Sequence, residues 1–278
     1  MESRPANLKT RGREVLVRAA SRPLGRPLRW ALGLPEGFRP AWWYAGTPNL
    51  GDLLSSEVTA YAFEQPVVRV SATYGGKTLG AGSILHHARG GDTVWGSGLL
   101  DGAPFDATGV RFLAVRGPRS LAAIRGSDVP EVFGDPAALL PHLYVPRTDG
   151  RRYDVGVVPH YVHQDQMRVD DRALCWVDVT DRDWRATVDL IASCDVVVSS
   201  SLHGIIVAEA YGIPTVWVEP GTEILGGRFK FDDYFEGTGR VREPIAWGPD
   251  LGAIVDLAEP APVLDPGPLI GAARSAGS

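Results

Sequence analysis

Cysteine is nearly absent: the 278 residues hold two, Cys175 and Cys194, and neither sits in a Cys-x-x-Cys pair. That excludes a disulfide scaffold and a cysteine-based zinc site, and it fits a reducing compartment. Lysine is scarce too, with only Lys9, Lys77 and Lys230 among 28 basic residues. No apolar run reaches the ~18 residues that a membrane-spanning helix needs. No single charge sign dominates. The net charge is −5 and the pI about 5.7, less basic than a general nucleic-acid binder. The start of the chain is basic, but Arg18, Arg22, Arg26 and Arg29 interrupt any apolar stretch after it, so no secretory signal is expected there.

What is present describes a folded chain. Hydrophobic residues make up 44% and charged residues 22%, ordinary globular values. The length suits one large or two small domains. Gly 33 and Pro 22 imply many turns and close backbone approaches. Charge is uneven: residues 1–30 carry a net +6, leaving −11 for the rest. Residues 1–38 therefore read as a basic arm, with a short helix near Leu8–Ala20 before Pro23, Pro27 and Pro35. The polar stretch Pro146–Arg152 reads as a linker. It divides an N-terminal domain over 39–147 from a C-terminal domain over 148–258. A loosely ordered tail, rich in proline, alanine and glycine, is expected over 259–278.

Within both halves, short apolar runs end in glycine or hydroxyl turns and pass into helix-like segments. Ala41–Tyr44, Val67–Val70, Thr93–Trp95, Tyr153–Val158 and Asp195–Ser199 are such runs. This alternation predicts an α/β fold with parallel sheets. Ligands of parallel α/β domains bind beyond the carboxyl ends of the strands. The candidate site residues therefore follow each strand, and two such lips would face each other across a cleft.

The segment from Cys194 to Val218 is the most informative. Ser199, Ser200 and Ser201 and then His203 stand between a buried strand and a helix start. The free N–H groups of a helix start suit a phosphate or carboxylate, and a histidine beside that anion can deliver a proton. The same residues can also act only as a cap. Asp52 is open to two readings, a base or an N-cap aspartate. His86 and His87 are adjacent, so they are expected to point apart as ordinary helix residues. No spacing of His, Asp or Glu makes a metal site convincing.

Eight short segments recur in the order found in the polysaccharide pyruvyl transferase family, which the chain resembles over residues 49–235. They include Asn49-Leu50-Gly51-Asp52, Gly80-Ala81-Gly82-Ser83, Gly96-Ser97-Gly98 and Val115-Arg116-Gly117-Pro118. Gly134-Asp135-Pro136-Ala137, Val158-Pro159-His160-Tyr161, Ser201-Leu202-His203-Gly204 and Lys230-Phe231-Asp232-Asp233 complete the set. The pattern is most similar to the succinoglycan-type ketalases of exopolysaccharide synthesis. One departure stands out: where some relatives carry an arginine two residues before the histidine, this chain has Ser201.

The resemblance implies two Rossmann-like domains in a GT-B-like arrangement with an inter-domain cleft. It implies phosphoenolpyruvate as donor, a saccharide as acceptor, a pyruvate ketal as product and no cofactor. His203 and Asp52 are the expected catalytic pair. Arg116, Ser200, Ser201, Gly204, Lys230, Gly82 and Ser83 are the expected donor-binding set. Asn49, Gly51, Asp52 and His160 are expected on the acceptor side. A cytoplasmic location is expected, with the basic arm making peripheral contact with an anionic membrane that carries a lipid-linked acceptor. Two other readings stay open. One is a GT-B sugar-nucleotide transferase, in which Glu209 would hold a ribose. The other is an inactive glycan-binding subunit.

Overall fold

The computed structural model describes residues 37–148, 152–169, 171 and 173–276. The helix expected near Leu8–Ala20, and nearly all of the basic arm, lie outside the described residues. The first half contains β1 (Arg39–Ala41), α1 (Leu50–Phe63), β2 (Val67–Arg69), β3 (Thr78–Leu79) and β4 (Thr93–Trp95). It continues with β5 (Phe105–Asp106), β6 (Arg111–Ala114), α2 (Pro118–Ala123) and β7 (Ile124–Arg125), then a 3-10 turn over Pro136–His142. The second half contains β8 (Tyr153–Val158), β9 (Leu174–Trp176), α3 (Trp184–Ala192), β10 (Cys194–Ser199) and α4 (Leu202–Ala210). After it come β11 (Thr215–Glu219), α5 (Phe229–Gly237), β12 (Ile245–Ala246), α6 (Leu251–Val255) and α7 (Gly267–Ser275).

Two five-stranded parallel sheets result, ordered β2-β1-β3-β4-β6 and β12-β11-β10-β8-β9. The fold is α/β, as the alternation predicts. The central strand β10 shows why: Val196, Val197 and Val198 are β-branched and flanked by β8 and β11, so an apolar run suits a strand covered on both faces. Helix α4 has a mostly apolar sequence because it is buried on nearly every side. Both sheets reverse their strand order once. In the first the switch lies between β1 and β3, and in the second between β8 and β10. At such points the loops diverge and leave a crevice.

Three elements differ from the sequence expectation. β1 precedes the aromatic run, because the Trp42 amide makes the last bond to Thr78 O, at 2.9 Å, before the chain leaves the sheet. Helix α5 forms where only a motif was read. The tail contains α7, which packs Leu269 and Ala273 against Trp95, Val58 and Leu113 of the first half. The Trp95 indole donates to Leu269 O at 2.9 Å, and Pro268 occupies the first turn, where its missing N–H is harmless. The tail's small residues hid an apolar helix face.

The halves share apolar contacts. Leu50 and Leu54 of α1, with Ala137 and Leu140 of the 3-10 turn, join one buried cluster with Val197, Ile205 and Trp217 of the second half. Arg116 and Asp233 add a fully buried ion pair at 2.9 Å between the α2 entrance and α5.

Candidate functional site

Both switch points open onto one cleft of about 320 Å³. From the first sheet, Tyr44, Asn49 and Asp52 follow β1, and Gly82 and Ser83 follow β3. From the second, His160 follows β8, Ser201 and His203 follow β10, and Lys230 enters from α5.

The helix starts explain much of this placement. Asn49 caps α1: its side-chain oxygen accepts from the Asp52 amide at 3.3 Å, and its side-chain amide also donates to the Asp52 carboxylate. The cap is thus Asn49, and Asp52 lies in the first turn facing the cleft. Burial pushes the Asp52 carboxyl up to about 6, against the opposing pull of His203 and the Asn49 hydrogen bond. Ser201 caps α4, accepting from the Gly204 amide at 3.4 Å. His203 therefore sits in the first turn of α4 and leans across to α1. A Cβ at Gly51 would fall 2.2 Å from its Cε1 and 2.3 Å from its Nδ1, so the glycine is what lets the imidazole lie there. On its other side, His203 Nε2 lies 3.6 Å from Asp135 Oδ2.

Lys230 is 8% exposed and has no hydrogen bond or ion pair with the described residues. Burial and the nearby Arg116 lower it to about 8. A nearly buried ammonium without an anion is a ready partner for one. His160 is pushed down to about 3 by burial, with Lys230, His163 and His203 adding to the effect, so it meets a ligand as neutral imidazole. Its Nδ1 also accepts from the Val162 amide.

Four expected site residues lie elsewhere. Arg116 is fully buried and does not line the cleft. Its guanidinium donates to Asp233 at 2.9 Å, to Ser83 Oγ at 2.6 Å and to Leu99 O at 2.7 Å. The chain is shaped around it: a Cβ at Gly98 would lie 2.3 Å from its Cζ, and one at Gly117 would lie 1.7 Å from Asp233 O. Arg116 is a structural tie that reaches the cleft only through Ser83. Ser200 turns to a second cavity of about 370 Å³, where its hydroxyl meets the His160 amide and His163 Nδ1, each at 2.9 Å. Gly204 is buried against Ser199 and Val158, and Gly51 underlies His203. Each matters for the space it leaves, and Gly204 also for its amide, which donates to the Ser201 hydroxyl.

Other residues surround the site that are not among the expected site residues. His86 and His87 both line the cleft, with ring centroids 4.0 Å apart, rather than pointing away. Burial lowers both, His87 to about 4. They lie in a 3-10 turn over Leu85–His87 rather than in a regular helix. Asp135 was visible only as part of Gly134-Asp135-Pro136-Ala137; its position at a strand end was the available signal. Among the described residues, no three His, Cys, Asp or Glu side chains gather as a metal ion would require.

Glu209 bears on the sugar-nucleotide reading. It is buried and receives both Arg240 nitrogens, at 2.9 and 2.7 Å, and the Tyr234 hydroxyl at 2.8 Å. A carboxylate so engaged has no capacity for a ribose.

Residues 107–222 match the model of the family described as polysaccharide pyruvyl transferase. Over these residues the chain is similar to that family. The matched segment contains Asp135, His160, Ser201 and His203. An uncharacterized protein of Acanthamoeba polyphaga mimivirus is 31% identical over 174 residues. That match covers 58% of this chain, and the chain spans about 60% of the length of this curated relative. A solved structure of a functionally uncharacterized Klebsiella pneumoniae protein overlaps 88% of this chain and 100% of its own, at 13% identity and a TM-score of 0.40.

Proposed function

We propose that this protein is a pyruvyl transferase that moves pyruvate from phosphoenolpyruvate to a sugar, closing a ketal across two hydroxyls and releasing phosphate. The observation that carries the reading is the unpaired Lys230 ammonium beside His203 and Asp52 in one cleft. The amides at the start of α4 and the Ser201 hydroxyl add donors for the anionic groups. Lys230 and Ser201 then stand in for the arginine of other relatives. The two sheets would act as the acceptor and donor halves of a GT-B-like arrangement, of the kind expected for succinoglycan-type ketalases.

The chemistry follows from the enol ester. His203 gives a proton to the donor's methylene carbon; the C=C electron pair forms the new C–H bond, and the adjacent carbon becomes cationic. A sugar hydroxyl attacks that carbon, and Asp52, with its carboxyl raised to about 6, takes the hydroxyl proton. Phosphate leaves with its bonding pair, a second hydroxyl closes the ketal and its proton is lost to solvent. The halves of the reaction need no metal in this scheme. Phosphorus and proton NMR together test it: phosphate should appear in the phosphorus spectrum only when a saccharide acceptor accompanies phosphoenolpyruvate, with a new ketal methyl signal in the proton spectrum. Acceptor-independent phosphate release, or loss of turnover with EDTA, would contradict it.

Among the described residues no helix is long and apolar enough to cross a membrane. The net +6 of residues 1–30 supports a peripheral, cytoplasmic-face association with anionic lipid, near a lipid-linked acceptor. The full chain should float with anionic liposomes and the chain lacking residues 1–30 should not; equal behaviour would remove the arm from the account.

A further inference from the structure

We propose that Asp135 is a positioning residue for His203, holding the ring proton on Nε2 so that Nδ1 is the nitrogen that meets the substrate. This rests on the reading of His203 as the proton donor and specifies how it is held. Asp135 is fully buried, and its Oδ1 accepts from the Ala137 amide at 2.9 Å. Its Oδ2 and His203 Nε2 are both buried, and neither has a hydrogen-bond partner among the described residues. They lie 3.6 Å apart, a gap that a small closure turns into a hydrogen bond. A carboxylate accepts but does not donate, so this contact requires the proton on Nε2. His203 keeps 14% side-chain exposure while Nε2 is buried, so the accessible ring edge faces away from Asp135. Gly51 presses on the ring and limits its reorientation.

The charges around the imidazole fit this role. Asp135 faces it from the 3-10 entrance and Asp52 from α1, while His160 stands after β8 and Lys230 on α5. Burial alone would raise the Asp135 carboxyl, but His203, the Ala137 amide and Arg116 together hold it below its ordinary value, so it stays ionised. When the imidazolium gives its Nδ1 proton to carbon, the neutral ring keeps Nε2–H, and the contact to Asp135 survives the step.

Nitrogen NMR of the full chain labelled at its histidines tests the assignment, with the His203 signals identified by their absence in His203→Gln. In the neutral ring, Nε2 should be protonated and Nδ1 bare. Asp135→Asn keeps the acceptor for Ala137 but removes the charge. It should mix the tautomers, lower kcat by at least about tenfold with little change in the KM for phosphoenolpyruvate, and move the alkaline limb of the pH–rate profile to lower pH. A bare Nε2 in the wild-type protein would overturn the proposal, as would an unmoved pH profile in Asp135→Asn. Should Asp135→Asn fail to fold, the wild-type tautomer decides alone. The tautomer is read whether or not the protein transfers pyruvate, so failure of the dyad and failure of the proposed function remain separate results.

Discussion

Arg116→Ala is expected to destabilise the protein by about 3–5 kcal/mol, because it strands Asp233 as a buried carboxylate without its cation. Asp233 Oδ2 accepts from Arg116 Nε at 2.9 Å and from the Ser120 hydroxyl at 2.7 Å, and Oδ1 accepts from the Ser120 amide at 2.8 Å. The two hydrogen bonds from Ser120 remain in the variant, but neither neutralises the charge. Loss of the guanidinium also empties the space that Gly98 leaves for it. Denaturant unfolding of the purified variant measures the change. A variant of near wild-type stability with weakened donor affinity would return Arg116 to the donor site and contradict the structural role.

His203→Gln is expected to lower turnover by about 10²-fold or more while leaving the fold nearly intact. The side chain is at a cleft lip, partly exposed, and makes no hydrogen bond that holds elements together. Deuterium gives the sharper reading. In D₂O the wild-type protein should place deuterium in the ketal methyl group, since the proton added to the methylene carbon comes from an exchangeable position. Near-normal turnover by His203→Gln would move the acid to another residue, with Lys230 and Asp52 the next candidates.

The α/β class was legible because strand runs such as Val196–Val198 stop at hydroxyl or glycine turns, and parallel sheets leave that pattern. The cleft was legible for the same reason. Asn49, Asp52, Gly82, Ser83, His160 and Ser201 all follow strands, and the two switch points bring them together. What escaped was long-range. Nothing local distinguishes Arg116, which is consumed by an aspartate 117 positions later, from an arginine that greets a ligand. Asp135 and His203 are 68 residues apart, and their contact exists only once the 3-10 entrance and α4 pack together. Helix α7 was hidden because alanine and glycine speak weakly for helix exposure or burial until Leu269 finds Trp95.

The most direct measurement is titration calorimetry of phosphoenolpyruvate into the full chain and into Lys230→Met. The account predicts saturable binding by the wild type at pH 7 that weakens in the variant by about 1.5–3 kcal/mol, the scale of a charged hydrogen bond. Because Lys230 is lowered to about 8, its ammonium is present below that value and lost above it. Wild-type affinity should therefore fall as pH rises above about 8 and level off only above the higher value that the bound anion imposes, whereas the variant should show no such limb. Absence of saturable binding by the wild type, or equal affinity and an equal pH dependence in Lys230→Met, would contradict the account.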